Sequence, residues 1–163
     1  MNQKSKTPEK GQNSVIHSTF SIERFYPQSP ARVFFAFTDK DMVRRWRVEG
    51  EGWKIYEFTF DCRIGGSEVS RFSYLNGPEI RFDAQYQDIV PDRRIVFVYR
   101  MAMGQTPLSA SLTTVELVPS DKGTRLTYTE QGAFFEGVDS PQARENGTRG
   151  LLEKLAEELQ RSS

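Results

Sequence analysis

The chain has 163 residues, with 22 basic and 22 acidic side chains, so its formal net charge is zero. A chain of this length forms one domain that buries about 68–70% of its unfolded surface, so it needs no disulfide or metal ion to be stable. A nucleic-acid-binding module would carry a surplus of basic residues, and the balanced charge argues against one. The single cysteine, Cys62, excludes an internal disulfide and a metal site built from several thiolates.

Residues 1–13 carry almost no apolar side chains, and we expect them to be a disordered tail ahead of a single domain over residues 14–163. No apolar run reaches the ~20 residues of a membrane-spanning helix, and no apolar segment typical of a secretory signal is present. These features predict a cytoplasmic protein without a membrane span. His17 is the only histidine, so we expect no histidine-based catalytic group, no metal and no cofactor.

The first third of the chain predicts a strand and two short helices. Apolar and polar residues alternate over 14–26, as in a strand. Ser29 followed by Pro30 has the pattern of a helix N-cap with proline at the first helical position. We expect helices over residues 31–38 and from residue 39 or 40 to 46, and the second would have an inner face made of Met42, Val43 and Trp46.

The middle of the chain predicts a series of strands separated by turn residues. Gly65-Gly66, Asn76-Gly77-Pro78 and Asp121-Lys122-Gly123 are turn signals between alternating segments. Connections of hairpin length require antiparallel pairing. The predicted strands cover residues 53–63, 67–75, 80–90, 94–101, 109–118 and 124–130.

The last segment, residues 141–160, predicts a long amphipathic helix. Leucines including Leu151 and Leu155 recur at helical spacing on one face. Gly147 and Gly150 each cost a helix about 1 kcal/mol relative to alanine, so we expect them to let a strand or a ligand approach closely. The order of elements predicts an α+β fold: a curved antiparallel sheet that wraps around one long C-terminal helix and leaves an internal cavity.

The inner face of the predicted sheet is rich in aromatic side chains, which either fill a core or line a pocket. On the first interpretation these residues pack as an ordinary core. On the second, together with Trp46 at one mouth and leucines of the last helix, they bind a small hydrophobic molecule. The predicted ligand-binding residues are Trp46, Phe58, Glu68, Phe72, Phe82, Tyr86, Phe97, Tyr99, Tyr128, Glu130, Leu151 and Leu155.

Two carboxylates, Glu68 and Glu130, are predicted to share that inner face. Glu130 alternates with Tyr128 along a strand, so both side chains point to the same side. Burial would raise the carboxyl pKa toward neutrality and make proton transfer feasible. The alternatives are that each acid anchors a ligand, pairs with Arg24 or Arg71, or is exposed at the end of its strand.

Several motifs occur in a fixed order between residues 18 and 160. They are Ala-Arg-Val-Phe at 31–34 with Thr-Asp at 38–39 and Trp46, the Asp-x-Arg-x-Gly-Gly pattern at 61–66, and segments 86–97, 123–132 and 144–152. Together with the order of elements, they resemble the helix-grip, or START-like, SRPBCC superfamily. The branch they resemble is related to the C-terminal domain of the activator of the heat-shock-protein-ninety ATPase.

The resemblance implies a helix-grip fold with an internal cavity roofed by the C-terminal helix. Members of the superfamily include lipid carriers, hormone receptors, polyketide cyclases and a co-chaperone domain, so the fold alone does not decide the function. The first expectation is a small hydrophobic ligand bound by a monomer or homodimer. The alternatives are a cyclase-like or hydratase-like enzyme that uses a cavity acid, and an interaction domain associated with a chaperone.

Overall fold

The computed structural model describes residues 14–135 and 139–161, which form an antiparallel sheet and three α-helices. The predicted tail over residues 1–13 lies outside the described residues. The strands are β1 Ile16–Tyr26, β2 Trp53–Phe60, β3 Ser67–Tyr74, β4 Ile80–Val90, β5 Arg94–Met103, β6 Thr106–Ser120 and β7 Gly123–Phe134. The helices are α1 Pro30–Thr38, α2 Lys40–Val43 and α3 Pro141–Arg161, and a π-helical turn, Arg44–Val48, follows α2.

The seven strands form a sheet in the order β1-β7-β6-β5-β4-β3-β2. Strands β2 to β7 follow one another as a meander, and β1 pairs antiparallel with β7 at the far side. α3 packs against β1, α1 and the π-helical turn. This arrangement confirms the predicted α+β helix-grip fold. None of the helices in the described residues is long and apolar enough to cross a membrane.

Bulges interrupt the strand pairing at points that the sequence pattern does not reveal. The register shifts around Tyr56 in β2, around Gln87 in β4, and around Leu108 in β6, opposite Met101 and Ala102 of β5. A bulge bends its strand and increases the local twist. These shifts therefore help to curve the sheet around α3.

The N-cap of α1 is formed as the sequence predicts. Ser29 Oγ accepts a hydrogen bond from the backbone N–H of Arg32 at 3.2 Å, and Pro30 is the first helical residue. Asp39 caps α2 in the same way, since its Oδ1 accepts from the N–H of Met42 at 3.0 Å. Both caps satisfy helix N–H groups that would otherwise have no partner.

The second helix is not the uniform α-helix that the pattern predicts. α2 ends at Val43, and the chain continues as a π-helical turn to Val48. Tertiary contacts hold this turn: Trp46 Nε1 donates to the carbonyl oxygen of Ala36 at 2.8 Å, and Arg47 pairs with Glu68. π-Helical turns widen a helix locally and are frequent at functional sites.

The connection between β2 and β3 also differs from the prediction. β2 ends at Phe60, and the N–H of Asp61 donates to the carbonyl oxygen of Ser67 at 2.9 Å. A Cβ on Gly66 would lie only 2.2 Å from the carbonyl oxygen of Asp61, so the tight turn requires glycine. Cys62 is therefore half-buried in this connection rather than in the middle of a strand.

Three strands are longer than predicted. β5 and β6 extend toward each other, so the expected loop over residues 104–107 is a short hairpin turn. β7 continues past Glu130 to Phe134 and pairs with both β1 and β6 along its length. Glu130 is consequently in the interior of a central strand and not at a strand tip.

The hydrophobic core occupies one side of the space between α3 and the sheet. Tyr26 Oη donates to the carbonyl oxygen of Leu152 at 2.9 Å and ties α3 to the end of β1. The core includes apolar residues of β1, β6, β7, α1 and α3, among them Ile22, Val33, Phe37, Val115, Leu126, Leu152, Leu155 and Leu159. Residues of β4 and β5, such as Ala84, Ile95 and Phe97, are part of the same cluster. The side of the sheet formed by β3, β4 and β5 faces the other flank of α3.

We predict that Leu155→Ala lowers the free energy of unfolding by about 2–5 kcal/mol, because Leu155 is 0% exposed and its loss creates a cavity in the core. Leu151→Ala is the matched control. Leu151 is half-buried, and its loss should cost clearly less. Urea denaturation of the two variants measures the difference. Equal losses would contradict the assignment of Leu155 to the core and Leu151 to its margin.

Candidate functional site

A cavity of about 700 Å³ lies between α3 and the inner face of β3, β4 and β5. Pockets for small molecules in proteins have volumes of roughly 300–1,000 Å³. Most of the wall is apolar or aromatic, and the π-helical turn closes one side. The lining residues are Trp46, Arg47, Val48, Trp53, Ser70, Phe72, Tyr74, Gly77, Pro78, Ile80, Phe82, Phe97, Tyr99, Met101, Tyr128, Asp139, Ala143, Arg144, Gly147, Thr148, Gly150, Leu151, Leu152 and Lys154.

The cavity wall contains part of the predicted ligand-binding set. The rings of Phe82 and Tyr99 are 4.8 Å apart, and those of Phe97 and Tyr99 are 6.0 Å apart, so β4 and β5 supply a continuous aromatic surface. The predicted residues on the wall are Trp46, Phe72, Phe82, Phe97, Tyr99, Tyr128 and Leu151. That these residues bind a ligand stays a prediction.

The remaining predicted residues lie behind the wall or beside it. Phe58 stacks on Phe60 at 6.0 Å, and the Arg44 guanidinium lies 5.9 Å from its ring centre, beyond the cavity. Leu155 is part of the core. The other residues off the wall are Glu68, Tyr86 and Glu130, which belong to two buried polar clusters.

The first cluster joins Arg47, Glu68 and Tyr86. Arg47 Nη1 donates to both oxygens of Glu68, at 2.7 and 2.9 Å, and Tyr86 Oη donates to Glu68 Oε2 at 2.9 Å. The guanidinium also lies 5.0 Å from the centre of the Trp46 ring, within cation–π range. Glu68 is completely buried, so its charge is matched by Arg47.

Neither arginine that the sequence analysis considered as a partner for these acids pairs with them. Arg24 Nε lies 3.3 Å from Glu153, and Arg71 pairs with Glu79. Side chains alternate along β3, so Arg71 points to the face opposite Glu68. The partner of Glu68 is Arg47. The sequence does not indicate this pairing, because a regular helix at residue 47 would not predict the direction of that side chain.

The second cluster surrounds the guanidinium of Arg144 in the first turn of α3. Nη1 donates to Tyr99 Oη at 2.7 Å and lies 3.4 Å from Glu130 Oε2. Nη2 donates to Ser109 Oγ at 2.7 Å and to the Asp139 carboxylate. The cluster therefore connects the start of α3 to β5, β6 and β7. Sequence reasoning missed Arg144, although it precedes Leu151 by two helical turns on the same helix flank.

Glu130 is fully engaged within this second cluster. Its Oε1 accepts from Tyr99 Oη at 2.7 Å, and its Oε2 accepts from Ser111 Oγ at 3.2 Å and from Arg144. Burial raises the pKa of the Glu130 carboxyl above its usual 4.5, and these donors oppose the shift. Burial likewise raises the pKa of Tyr99 well above its usual value. The arrangement anchors α3 and leaves Glu130 behind the cavity wall.

Gly147 and Gly150 face open space at the cavity wall. No atom of the described residues lies within 4 Å of a Cβ built on either glycine, apart from the helix's own backbone and chain neighbours. The expectation that a strand packs closely against these glycines is therefore wrong. Both glycines line the cavity and are exposed to solvent at its opening.

Comparison with known proteins agrees with this fold. The family model described as "Activator of Hsp90 ATPase homolog 1-like protein" matches residues 27–161. The crystal structure of the Mll3558 protein from Rhizobium loti is 74% identical and has a TM-score of 0.83, with 89% of this chain and 99% of that chain covered. A protein from Rhizobium leguminosarum is 37% identical with a TM-score of 0.87, and the match covers 91% of this chain and 98% of that one.

More distant structures share the fold alone. The AHSA1-like protein from Aeromonas hydrophila is 20% identical, with a TM-score of 0.67 over 89% of this chain and 94% of that chain. No curated protein matches the sequence. Because the family model covers most of the chain, and because the fold and its motifs agree with it, the chain belongs to the family of Activator of Hsp90 ATPase homolog 1-like proteins.

Proposed function

We propose that the chain binds one small, largely apolar molecule in the cavity between α3 and the sheet. The observation that carries this proposal is a space of about 700 Å³ that an aromatic wall surrounds and two helix glycines leave open. The space is bordered by exposed residues such as Tyr74 and Gly150, so it is a cleft that a ligand can enter from solvent. A ligand in this space would bury apolar surface of the wall that no protein side chain covers, and this burial would stabilise the complex.

The glycines of α3 support the proposal independently of the wall. Each glycine destabilises a helix by about 1 kcal/mol relative to alanine. No side chain packs against Gly147 or Gly150 within the described ranges, so helix packing does not account for this cost. The two glycines keep the helix backbone accessible from the cavity, and this accessibility would explain why their cost to helix stability is tolerated.

The geometry gives no support to catalysis by Glu68 or Glu130. Glu68 accepts hydrogen bonds from Arg47 and Tyr86, and Glu130 accepts from Tyr99, Ser111 and Arg144. Neither carboxylate is part of the cavity wall, whereas a general acid or base must reach the proton that it transfers. Both acids fit a structural role in pairing buried arginines.

The family name suggests association with a chaperone as an alternative function. Such an association would use the outer surface and would give the cavity no role. Variants that fill the cavity separate the two functions, because they leave the surface of the sheet unchanged. A chaperone-associated domain would tolerate them, and a ligand-binding protein would not.

We predict that the double variant Gly147→Phe, Gly150→Phe binds the neutral fluorescent probe N-phenyl-1-naphthylamine at least about tenfold more weakly than the parent protein. A Cβ on either glycine has no neighbouring atom within 4 Å, so the side chain can start toward the cavity and its ring should occupy part of that space. The matched control is Gly147→Ala, Gly150→Ala, which should keep the affinity and raise helix stability by up to about 1 kcal/mol per site. Fluorescence titration measures the affinity, and thermal denaturation measures the stability.

The proposal fails if the parent protein shows no saturable binding of this probe at one site. It also fails if the phenylalanine variant is folded and binds as tightly as the parent, since the probe would then occupy another place.

We predict that Glu130→Gln is less stable than the parent and that this deficit narrows as the pH rises from 4.5 toward neutrality. The pKa of Glu130 is raised in the folded state, so the folded protein holds this proton more tightly than the unfolded chain. The resulting stabilisation is fully present below the unfolded pKa of 4.5 and is lost as the pH rises through the folded pKa. Glutamine does not titrate, so only the parent protein loses this stabilisation, and the stability difference between the two proteins becomes smaller.

Urea denaturation of both proteins across this pH range measures the deficit. A deficit that widens with pH would show that attraction to Arg144 outweighs burial and that the pKa of Glu130 is lowered. Affinity for N-phenyl-1-naphthylamine should be unchanged in the folded variant, because Glu130 is not part of the cavity wall.

A further inference from the structure

The two polar clusters beside the cavity differ in how completely their donors are used. Around Arg144, both Nη1 and Nη2 donate to protein acceptors, and each oxygen of Glu130 accepts at least one hydrogen bond. Around Arg47, only Nη1 is used. Both terminal nitrogens of Arg144 are therefore engaged by protein groups, whereas Nη2 of Arg47 is unused at the cavity wall.

Arg47 presents these unused donors away from bulk water. Its side chain is 13% exposed and lines the cavity. Nε and Nη2 donate no hydrogen bond to any residue within 14–135 and 139–161. Guanidinium N–H groups are directed by the planar fork, so pairing Nη1 with Glu68 fixes the direction of the other donors. These donors are accessible from the cavity, and a ligand oxygen there would accept a charge-assisted hydrogen bond from them.

Ser70 provides a second unused polar group on the same wall. It is 2% exposed, and its buried Oγ has no hydrogen-bond partner in the described part of the chain. Ser70 follows Glu68 on the same face of β3, so their backbones are about 7 Å apart. Buried hydroxyl groups in proteins are almost always hydrogen-bonded, and an exception at a cavity wall points to a missing partner.

Because Glu68 already balances the charge of Arg47, the subsite favours an uncharged acceptor. A ligand carboxylate next to this pair would add a negative charge close to Glu68 with no cation left to match it. A carbonyl oxygen accepts hydrogen bonds without that repulsion. Lys154 also lines the cavity, but it lies over the Trp53 ring, 5.7 Å from the ring centre, near the β2 edge of the sheet.

Aromatic side chains flank both polar groups. Ser70 is paired across the sheet with Phe82, and Phe72 is the next residue of β3 on the same face. Trp46 precedes Arg47 and lies under its guanidinium. A ligand oxygen at this point would therefore be joined directly to a flat, apolar body.

We infer that Arg47 and Ser70 form an acceptor subsite, which binds an uncharged carbonyl oxygen of an apolar, ring-containing ligand. This inference rests on the proposed function of the cavity. It adds the chemical class of the ligand and the residues that orient it.

The test uses three probes of nearly the same shape: 2-acetylnaphthalene, 2-naphthoic acid and 2-ethylnaphthalene. Each displaces N-phenyl-1-naphthylamine from the parent protein, and the competition gives its affinity. The ketone should bind about tenfold more tightly than 2-ethylnaphthalene, as expected for hydrogen bonds to a charged donor. The naphthoate anion should bind more weakly than the ketone.

Single substitutions test whether Arg47 and Ser70 cause the preference for the ketone. Ser70→Ala and Arg47→Lys should each weaken binding of the ketone more than binding of 2-ethylnaphthalene, so that the affinity ratio of the two probes falls from about tenfold toward one. Lysine keeps a positive charge beside Glu68 but lacks the Nε and Nη2 donors of arginine. Ser73→Ala is the control, because Ser73 lies on the opposite face of β3 with its Oγ 3.1 Å from Tyr56 Oη. Unliganded Ser70→Ala should be no less stable than the parent, since its hydroxyl has no partner to lose.

Equal affinities for the ketone and 2-ethylnaphthalene would overturn the acceptor subsite while the cavity proposal stands. Tightest binding of naphthoate would also overturn it, since the preferred acceptor would be an anion. If none of the three probes displaces the fluorescent probe from the parent protein, the proposed function itself fails.

Discussion

The pairing of Arg144 with the sheet is the interaction on which the rest of the structure depends. It places a buried guanidinium from the first turn of α3 against Tyr99, Ser109 and Glu130, which belong to three neighbouring strands. A buried charge must be paired, and removing one partner typically costs about 3–5 kcal/mol. The start of α3 is therefore held at a fixed distance from the sheet. The leucines of the same helix then fill one side, and the glycine flank leaves the other side open.

This geometry separates stability from binding within one interior. The side formed by β1, β6, β7 and α1 is a dense apolar core, while Phe72, Phe82 and Tyr99 of β3, β4 and β5 line the cavity. The two buried arginines differ in the same way. Arg144 donates from both Nη1 and Nη2 to protein groups, whereas Arg47 pairs with Glu68 through Nη1 and keeps its other donors toward the cavity. Arg144 holds α3 against the sheet, and Arg47 has donors available to a ligand.

The sequence predicts the fold well because its signals are local. Alternation, hairpin turns, the Ser29 cap and the amphipathic last helix identify nearly every element, and strand alternation identifies the inner face. The site is harder, because its decisive features are not periodic. The direction of Arg47 depends on a π-helical turn, and Phe58 lies on the inner face but against Arg44, outside the cavity. Which acid meets which arginine depends on contacts between residues far apart in the chain, such as Glu130 and Arg144.

The most direct test of this account is a backbone amide NMR titration of the parent protein with 2-acetylnaphthalene. The account predicts saturable shifts at cavity-wall positions, such as Ser70, Phe82 and Gly150, with little change around Leu159 in the core. Shifts confined to exposed outer residues such as Val98 and Val118, or no saturable shifts at all, would contradict a ligand-binding cavity between α3 and the sheet.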